Sequence, residues 1–263
     1  MFDLRQLSFN KDNFDIFEGM TSISAVLNSV IKGTNNRTVY AVVYASERKK
    51  QLAREISFLN RSASNLGFDV FELPLESISE LTTGETHGGV IAICSKRAFS
   101  DSFVNKLTSS SFYALIDGIE DPYNFAYSIR SLYAAGVDGI ILPPRNWMEL
   151  SGVIAKSSAG TSELSDIYVC DTYEAVNTFK RNGFKVVCAS IRDSVSIYDY
   201  DFTAPVLLVV GGEKRGISRK ILDLADANVR IDYGREFMGS LPSASAVSVI
   251  AFEIARQKSL AKD

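Results

Sequence analysis

The sequence predicts an α/β protein: a small N-terminal α/β unit, then a larger α/β domain around a parallel sheet. Three observations carry this. Short runs rich in β-branched and apolar residues alternate with stretches of helical periodicity along most of the chain. One of them, Val206 to Val210 (VLLVV), is apolar throughout, as a parallel strand covered on both faces must be. Between the two series lies a serine-rich tract, Ser100 to Ser111, which reads as a short helix or hinge between domains and not as a core element. The boundary is accordingly expected at 108, giving domains 1–108 and 109–263. A chain of 263 residues, 46% hydrophobic, is long and apolar enough to give both a core.

In the first unit, Glu18-Gly19 leads into Ser22 to Lys32, where Ile23, Val26, Leu27, Val30 and Ile31 recur at helical spacing and Gly33 is placed to stop the helix. Thr38 to Ser46 (TVYAVVYAS) reads as a buried strand and the charged stretch from Glu47 to about Leu66 as a helix. Phe68 to Leu73 and Gly89 to Cys94 follow as strands. The second series opens with the strand Phe112 to Asp117, a turn at Gly118 to Pro122, and a helix from about Asn124 to Ala135 that Gly136 ends. Val137 to Leu142, Ile167 to Cys170, Phe184 to Ser190, VLLVV and Ala227 to Ile231 are its further strands. Trp147 to Ser158, Tyr173 to Asn182, Ser218 to Leu224 and a long final stretch from about Leu241 to Leu260 are its helices, on both sides of the sheet.

A net charge of -3 argues against a protein that binds nucleic acid through a general surplus of cations. Contacts to phosphate would have to come from local clusters: Arg48-Lys49-Lys50, Lys96-Arg97, Lys214-Arg215 and Arg219-Lys220. Cys94, Cys170 and Cys188 lie in or beside apolar stretches without paired spacing, so neither a disulfide framework nor a metal site is expected and a reducing cytoplasm fits. Met1 to Asn10 lacks the apolar core of a signal peptide, and no apolar run approaches the ~18 residues that cross a bilayer.

Three segments of the second domain sit near strand ends, where open α/β sheets bind ligands. Asn124 and Arg130 are six residues apart, so a helix puts them on different sides unless Asn124 is its cap. Gly211-Gly212-Glu213-Lys214-Arg215-Gly216 follows VLLVV directly; its glycines allow close backbone approach, and it has neither the Walker Gly-Lys-Ser/Thr nor the three-glycine dinucleotide spacing. The third, Met238 to Ala246, is a small-residue run with ordinary helix-start signals. His87, the lone histidine, is read as structural.

Taken in order, these segments resemble the three motifs of the TrmH (SpoU) family of SPOUT RNA methyltransferases. Asp121-Pro122 with Asn124, Arg130 and Ala135 to Ile140 is similar to the first motif, Val209 to Ile217 to the second, and Ile231 through Ser240-Leu241 to Gln257 to the third. Lys156 to Gly160 resembles a stretch between the first two. Glu18-Gly19, Val39 to Ala45 and His87 to Ala92 are similar to the substrate-binding domain preceding the catalytic domain in ribosomal-RNA members. The third motif departs where the family usually has Asn after Ser-Leu: here Pro242 stands, with Ala244 two positions on.

The resemblance implies a SPOUT domain with a C-terminal trefoil knot, S-adenosyl-L-methionine as cofactor, and a homodimer acting on structured RNA, with the N-terminal domain pointing to rRNA. It implies that Gly211, Gly212, Ile231, Leu241 and Ala189 line the cofactor pocket. Arg130 would orient and acidify a ribose 2′-hydroxyl, and Asn124 and Glu213 would hold the geometry around it. The alternative is a non-catalytic RNA-binding relative with an altered cofactor site, for which Pro242 is the motive. A small-molecule enzyme using the Gly211 turn for another nucleotide is weakened by the missing phosphate motifs.

Overall fold

The computed structural model describes residues 13–82, 86–144 and 150–260. Met1 to Asn10 and Trp147, the expected start of a helix, lie outside them. The described residues divide into two compact units, one drawn from Met1–Ala98 and Trp147–Leu164, the other from Phe99–Asn146 and Ser165–Asp263. A single cut after residue 108 does not reproduce that division. Residues 99–108 group with the second unit, and 147–164 return to the first.

The first unit holds a four-stranded sheet in the order β1 (Phe14–Glu18), β4 (Val90–Ser95), β2 (Val39–Ala45), β3 (Asp69–Leu73). β4 runs antiparallel to both its neighbours, whereas β2 and β3 are parallel. Helix α1 (Gly19–Lys32) ends as its sequence requires: Gly33 adopts φ 68°, and its N–H donates to the carbonyls of Ser29 and Val30. The expected helix from Glu47 is interrupted. A 3-10 turn at Ser46–Arg48 comes first, and the α-helix, α2, spans only Ala53–Leu66. β1, the short helix α3 (Leu75–Leu81) and α6 (Thr161–Leu164) had no counterpart in the periodicity.

Two helices from the second half of the sequence, α5 (Ser151–Ser157) and α6, pack in this first unit. Gly152 lies so close to β1 that a Cβ would collide with the Ile16 carbonyl, and one on Gly160 (φ 83°) would collide with the Ala25 side chain. The same unit holds a buried ion network. Arg37 Nη1 donates to Asp15 Oδ2 at 2.6 Å and to the Ser95 carbonyl at 2.7 Å, while its Nε donates to Glu163 Oε2 at 2.7 Å. Burial opposes the charge on Arg37, but its two carboxylate partners outweigh that and raise its pKa. His87 is buried in the same unit, its Nδ1 accepting the Gly89 N–H at 3.1 Å.

The second unit holds a seven-stranded sheet whose described strands all run parallel. Their order is β7 (Ile167–Val169), β6 (Gly139–Leu142), β5 (Phe112–Asp117), β10 (Val206–Gly211), β8 (Lys185–Ala189), β11 (Ala227–Arg230) and β9 (Ser194–Ser196). On one face, Tyr113, Leu115, Val186, Cys188, Leu207 and Val209 pack with helix α7 (Thr172–Arg181) and α8 (Arg219–Leu222). α4 (Pro122–Ala134) and α9 (Ser243–Leu260) pair with each other, and α9 also meets β10. The serine-rich tract is not a simple hinge. Phe103 is buried in the core of this unit and stacks on Phe179 with ring centroids 4.7 Å apart.

Candidate active site

Because the sheet is parallel, the carboxyl ends of β5, β8, β10 and β11 open on one edge, and every segment singled out in the second domain follows one of those ends. Register fixes the neighbours. Gly211 pairs with Asp117, and Ala189 pairs with Val229, two residues before Ile231.

Helix α4 starts differently from the sequence expectation. Asp121, not Asn124, is the N-cap: its Oδ1 accepts the Asn124 N–H at 2.7 Å, and Pro122 occupies the first helical turn, where a missing N–H costs nothing. An Asp-Pro pair at this place is itself the sequence signal for that cap. Asn124 is therefore inside the helix, its side chain free for another task. Its Nδ2 donates to Glu213 Oε1 at 3.1 Å.

The glycine turn after β10 is packed tightly against backbone. A Cβ on Gly212 would collide with the Gly118 carbonyl, and one on Gly211 with the backbone of Gly216. The glycines let the turn fold against itself and against the loop after β5, so they compact protein backbone. Gly212 and Gly216 form an isolated bridge, and the Gly212 N–H donates to the Asp117 carbonyl at 3.2 Å. This packing presents Glu213 at the sheet edge.

Glu213 joins all three motif segments. The same Oε1 that takes Asn124 also accepts the backbone N–H of Ser243, at 3.3 Å. Partial burial opposes ionisation, but donation from its own N–H and from Ser243, with Lys214 nearby, prevails and holds the carboxyl below its ordinary pKa. Pro242 sits immediately before this donor and leaves it intact. Its carbonyl accepts from the N–H groups of Ser245 (2.9 Å) and Ala246 (3.1 Å), opening α9. Sequence reasoning missed Ser243, since a main-chain donor has no residue-type signature.

Leu241 lies two residues earlier, and its N–H donates to the Tyr233 hydroxyl at 3.2 Å. This closes the loop that begins at Ile231. Arg130 stands apart: it is exposed on α4, and its side chain makes no ion pair or hydrogen bond among the described residues. With Tyr123 and Tyr127 it occupies i, i+4 and i+7 of one exposed face. Cys188, one residue before Ala189, is no nucleophile, because burial and the charges of Asp117 and Asp226 push its thiol up to about 12.

Each basic cluster has a member in an ion pair. Lys49 pairs with Glu72 (2.6 Å), Lys96 with Asp15 (2.9 Å) and Arg219 with Asp223 (2.8 Å). Lys214 approaches Glu120 more loosely, at 3.6 Å. Arg215, beside Glu213, is exposed.

Comparison with known proteins identifies the family. A protein named for the TrmH family of tRNA/rRNA methyltransferases, from Staphylococcus saprophyticus, is 26% identical over 245 residues, covering 91% of this chain and 95% of its own. An rRNA methyltransferase from Sinorhizobium meliloti has the same fold, with a TM-score of 0.76 and 22% identity over 97% of this chain and 90% of that one. The SpoU methyltransferase AviRb from Streptomyces viridochromogenes, in complex with AdoMet, gives a TM-score of 0.75 at 20% identity, covering 98% and 95%. The model of the SpoU rRNA Methylase family matches residues 111–252, from the first strand of the seven-stranded sheet into its closing helix and over more than half of the sequence, so the chain belongs to that family.

Proposed function

We propose that the protein transfers a methyl group from S-adenosyl-L-methionine to a ribose 2′-hydroxyl of a structured RNA, ribosomal RNA in the first place. The observation that carries this is the Glu213 carboxylate, which takes Asn124 from the first motif and Ser243 from the third on one oxygen. The residues at the sheet edge suit the cofactor: Ala189, Gly211, Gly212, Ile231 and Leu241 are small or apolar, as an adenosine needs. Asn228 adds a buried Oδ1 without a partner in the strand leading to Ile231. When bound, S-adenosyl-L-methionine supplies an electrophilic methyl on a positively charged sulfur.

The protein's own share is positioning and charge. Arg130, a permanent cation with a rigid fork of donors, orients the 2′-hydroxyl and stabilises the alkoxide that develops as its proton leaves to water. Glu213, held ionised by its donors, is a weak base and serves to fix Asn124 and the start of α9. The exposed face of Tyr123, Tyr127 and Arg130 is the composition a subunit interface prefers. We place the homodimer contact there, with Arg130 at its border. The chain from β10 through Leu241 forms the trefoil knot, the first unit binds RNA, and three free thiols suit the cytoplasm.

Mapping 2′-O-methyl sites in total RNA from cells with and without the protein tests the reaction, and calorimetry with S-adenosyl-L-methionine tests the cofactor. A site that vanishes with the gene and returns with wild-type protein but not with Arg130→Ala is the expected result. Binding of RNA with neither cofactor binding nor a lost site would instead identify a non-catalytic relative.

A further inference from the structure

Resting on the RNA methyltransferase reading, we propose that the loop between β11 and α9 carries a stacking platform, formed by Tyr233 and Phe237, for an unpaired base of the RNA close to the reacting ribose. Three side chains of this loop turn apolar surface to solvent: Tyr233 is 40% exposed, Phe237 56% and Met238 97%. The two rings lie 5.6 Å apart at 60°. Gly239 permits this, since a Cβ there would come 2.6 Å from the Phe237 ring. An ordered pair of rings left open to water is costly unless something covers it.

Continuity with the site indicates the occupant. The Tyr233 hydroxyl takes the Leu241 N–H, and Leu241 is two residues from Ser243, whose N–H holds Glu213. Those two amides are at most about 7 Å apart along the chain. The Tyr233 hydroxyl thus lies within about 14 Å of the carboxylate that organises the proposed reaction, a span of one or two nucleotides. Charges hem it in closely, with Asp232, Arg235 and Glu236 all exposed. Two rings and a thioether inside a charged rim are too small for a protein interface but match one flat base, with Arg235 available to its phosphate.

The test compares wild type with Phe237→Ala and Phe237→Trp, using total RNA from cells lacking the protein. Binding, methyl transfer, cofactor affinity and sedimentation are measured, and ultraviolet cross-links to RNA are located by mass spectrometry. The alanine variant is expected to bind this RNA roughly tenfold more weakly, the loss of one stacked base. Tryptophan restores binding, cofactor affinity and oligomeric state stay as in wild type, and cross-links fall on Tyr233 or Phe237. RNA affinity unchanged by Phe237→Ala, equal damage by alanine and tryptophan, cross-links confined to other segments, or a changed oligomeric state would each overturn the platform. Wild type that binds RNA without methylating any refutes the enzyme reading alone, and the cross-links still decide the platform. Wild type that binds no RNA overturns both.

Discussion

At Glu213 one oxygen accepts donors from residues 89 positions earlier and 30 later in the sequence. Replacing it with Gln removes the charge that both donors address and lets Asn124 and Ser243 drift. Methyl transfer is expected to fall about a hundredfold, as for an ångström-scale misplacement, with cofactor affinity nearly unchanged. The sign of the pH effect follows from the depressed pKa. The tie contributes fully above the ordinary glutamate value of 4.5 and is lost only as pH falls through the lower folded value. Melting temperatures of wild type and Glu213→Gln should therefore differ by a constant amount from neutrality to about 4.5 and converge below it. At Gly212 the expectation is steric. Gly212→Ala drives a methyl into the Gly118 carbonyl and should destabilise the protein by roughly 1–3 kcal/mol in urea titrations. An unaltered midpoint would contradict the packing described for this turn.

Among the elements, the most legible in the sequence were those whose periodicity is self-sufficient. VLLVV became the central β10, Gly33 stops α1 and Gly136, at φ 81°, follows α4. Elements that borrow their order from elsewhere were not. The three-residue β9 exists only because β11 pairs with it, and α6 is a single turn held by contacts distant in sequence. The same divide runs through the site: Asn124 and Glu213 were identifiable by their motifs, whereas the Ser243 N–H and the Gly212–Gly118 contact are main-chain features. Helix α6 shows what such borrowing costs. Its Glu163 side chain is 4% exposed and neutralises Arg37, itself 1% exposed. Glu163→Ala would leave the buried guanidinium with Asp15 as its one carboxylate, at a cost of about 3–5 kcal/mol by chemical denaturation. Glu163→Gln, able to keep hydrogen bonds, should lose less.

For the whole molecule, the proposed homodimer predicts that Tyr127→Glu yields a monomer by sedimentation and abolishes methyl transfer, whereas the same change at exposed Tyr198, which follows β9 and is not on α4, does neither. The division into units makes a further prediction about where the chain may be cut. Severing it after residue 108 follows the order of the sequence, yet it separates the first unit from α5 and α6. The fragment 1–108 would lack Ala155, part of the core formed by Phe17, Ile23, Val26 and Leu27, and would lack Glu163 opposite Arg37. Apolar surface and an ion pair would be opened together, and a unit this small has little stability to spare. The fragment 1–108 is thus expected to show fast amide exchange and a broad, weak thermal transition. Supplying a peptide of residues 147–164 should slow exchange in β1 and α1 specifically. A fragment 1–108 that unfolds cooperatively, with protection in β1 equal to the intact chain, would mean that α5 and α6 are passengers on the first unit and not part of its core.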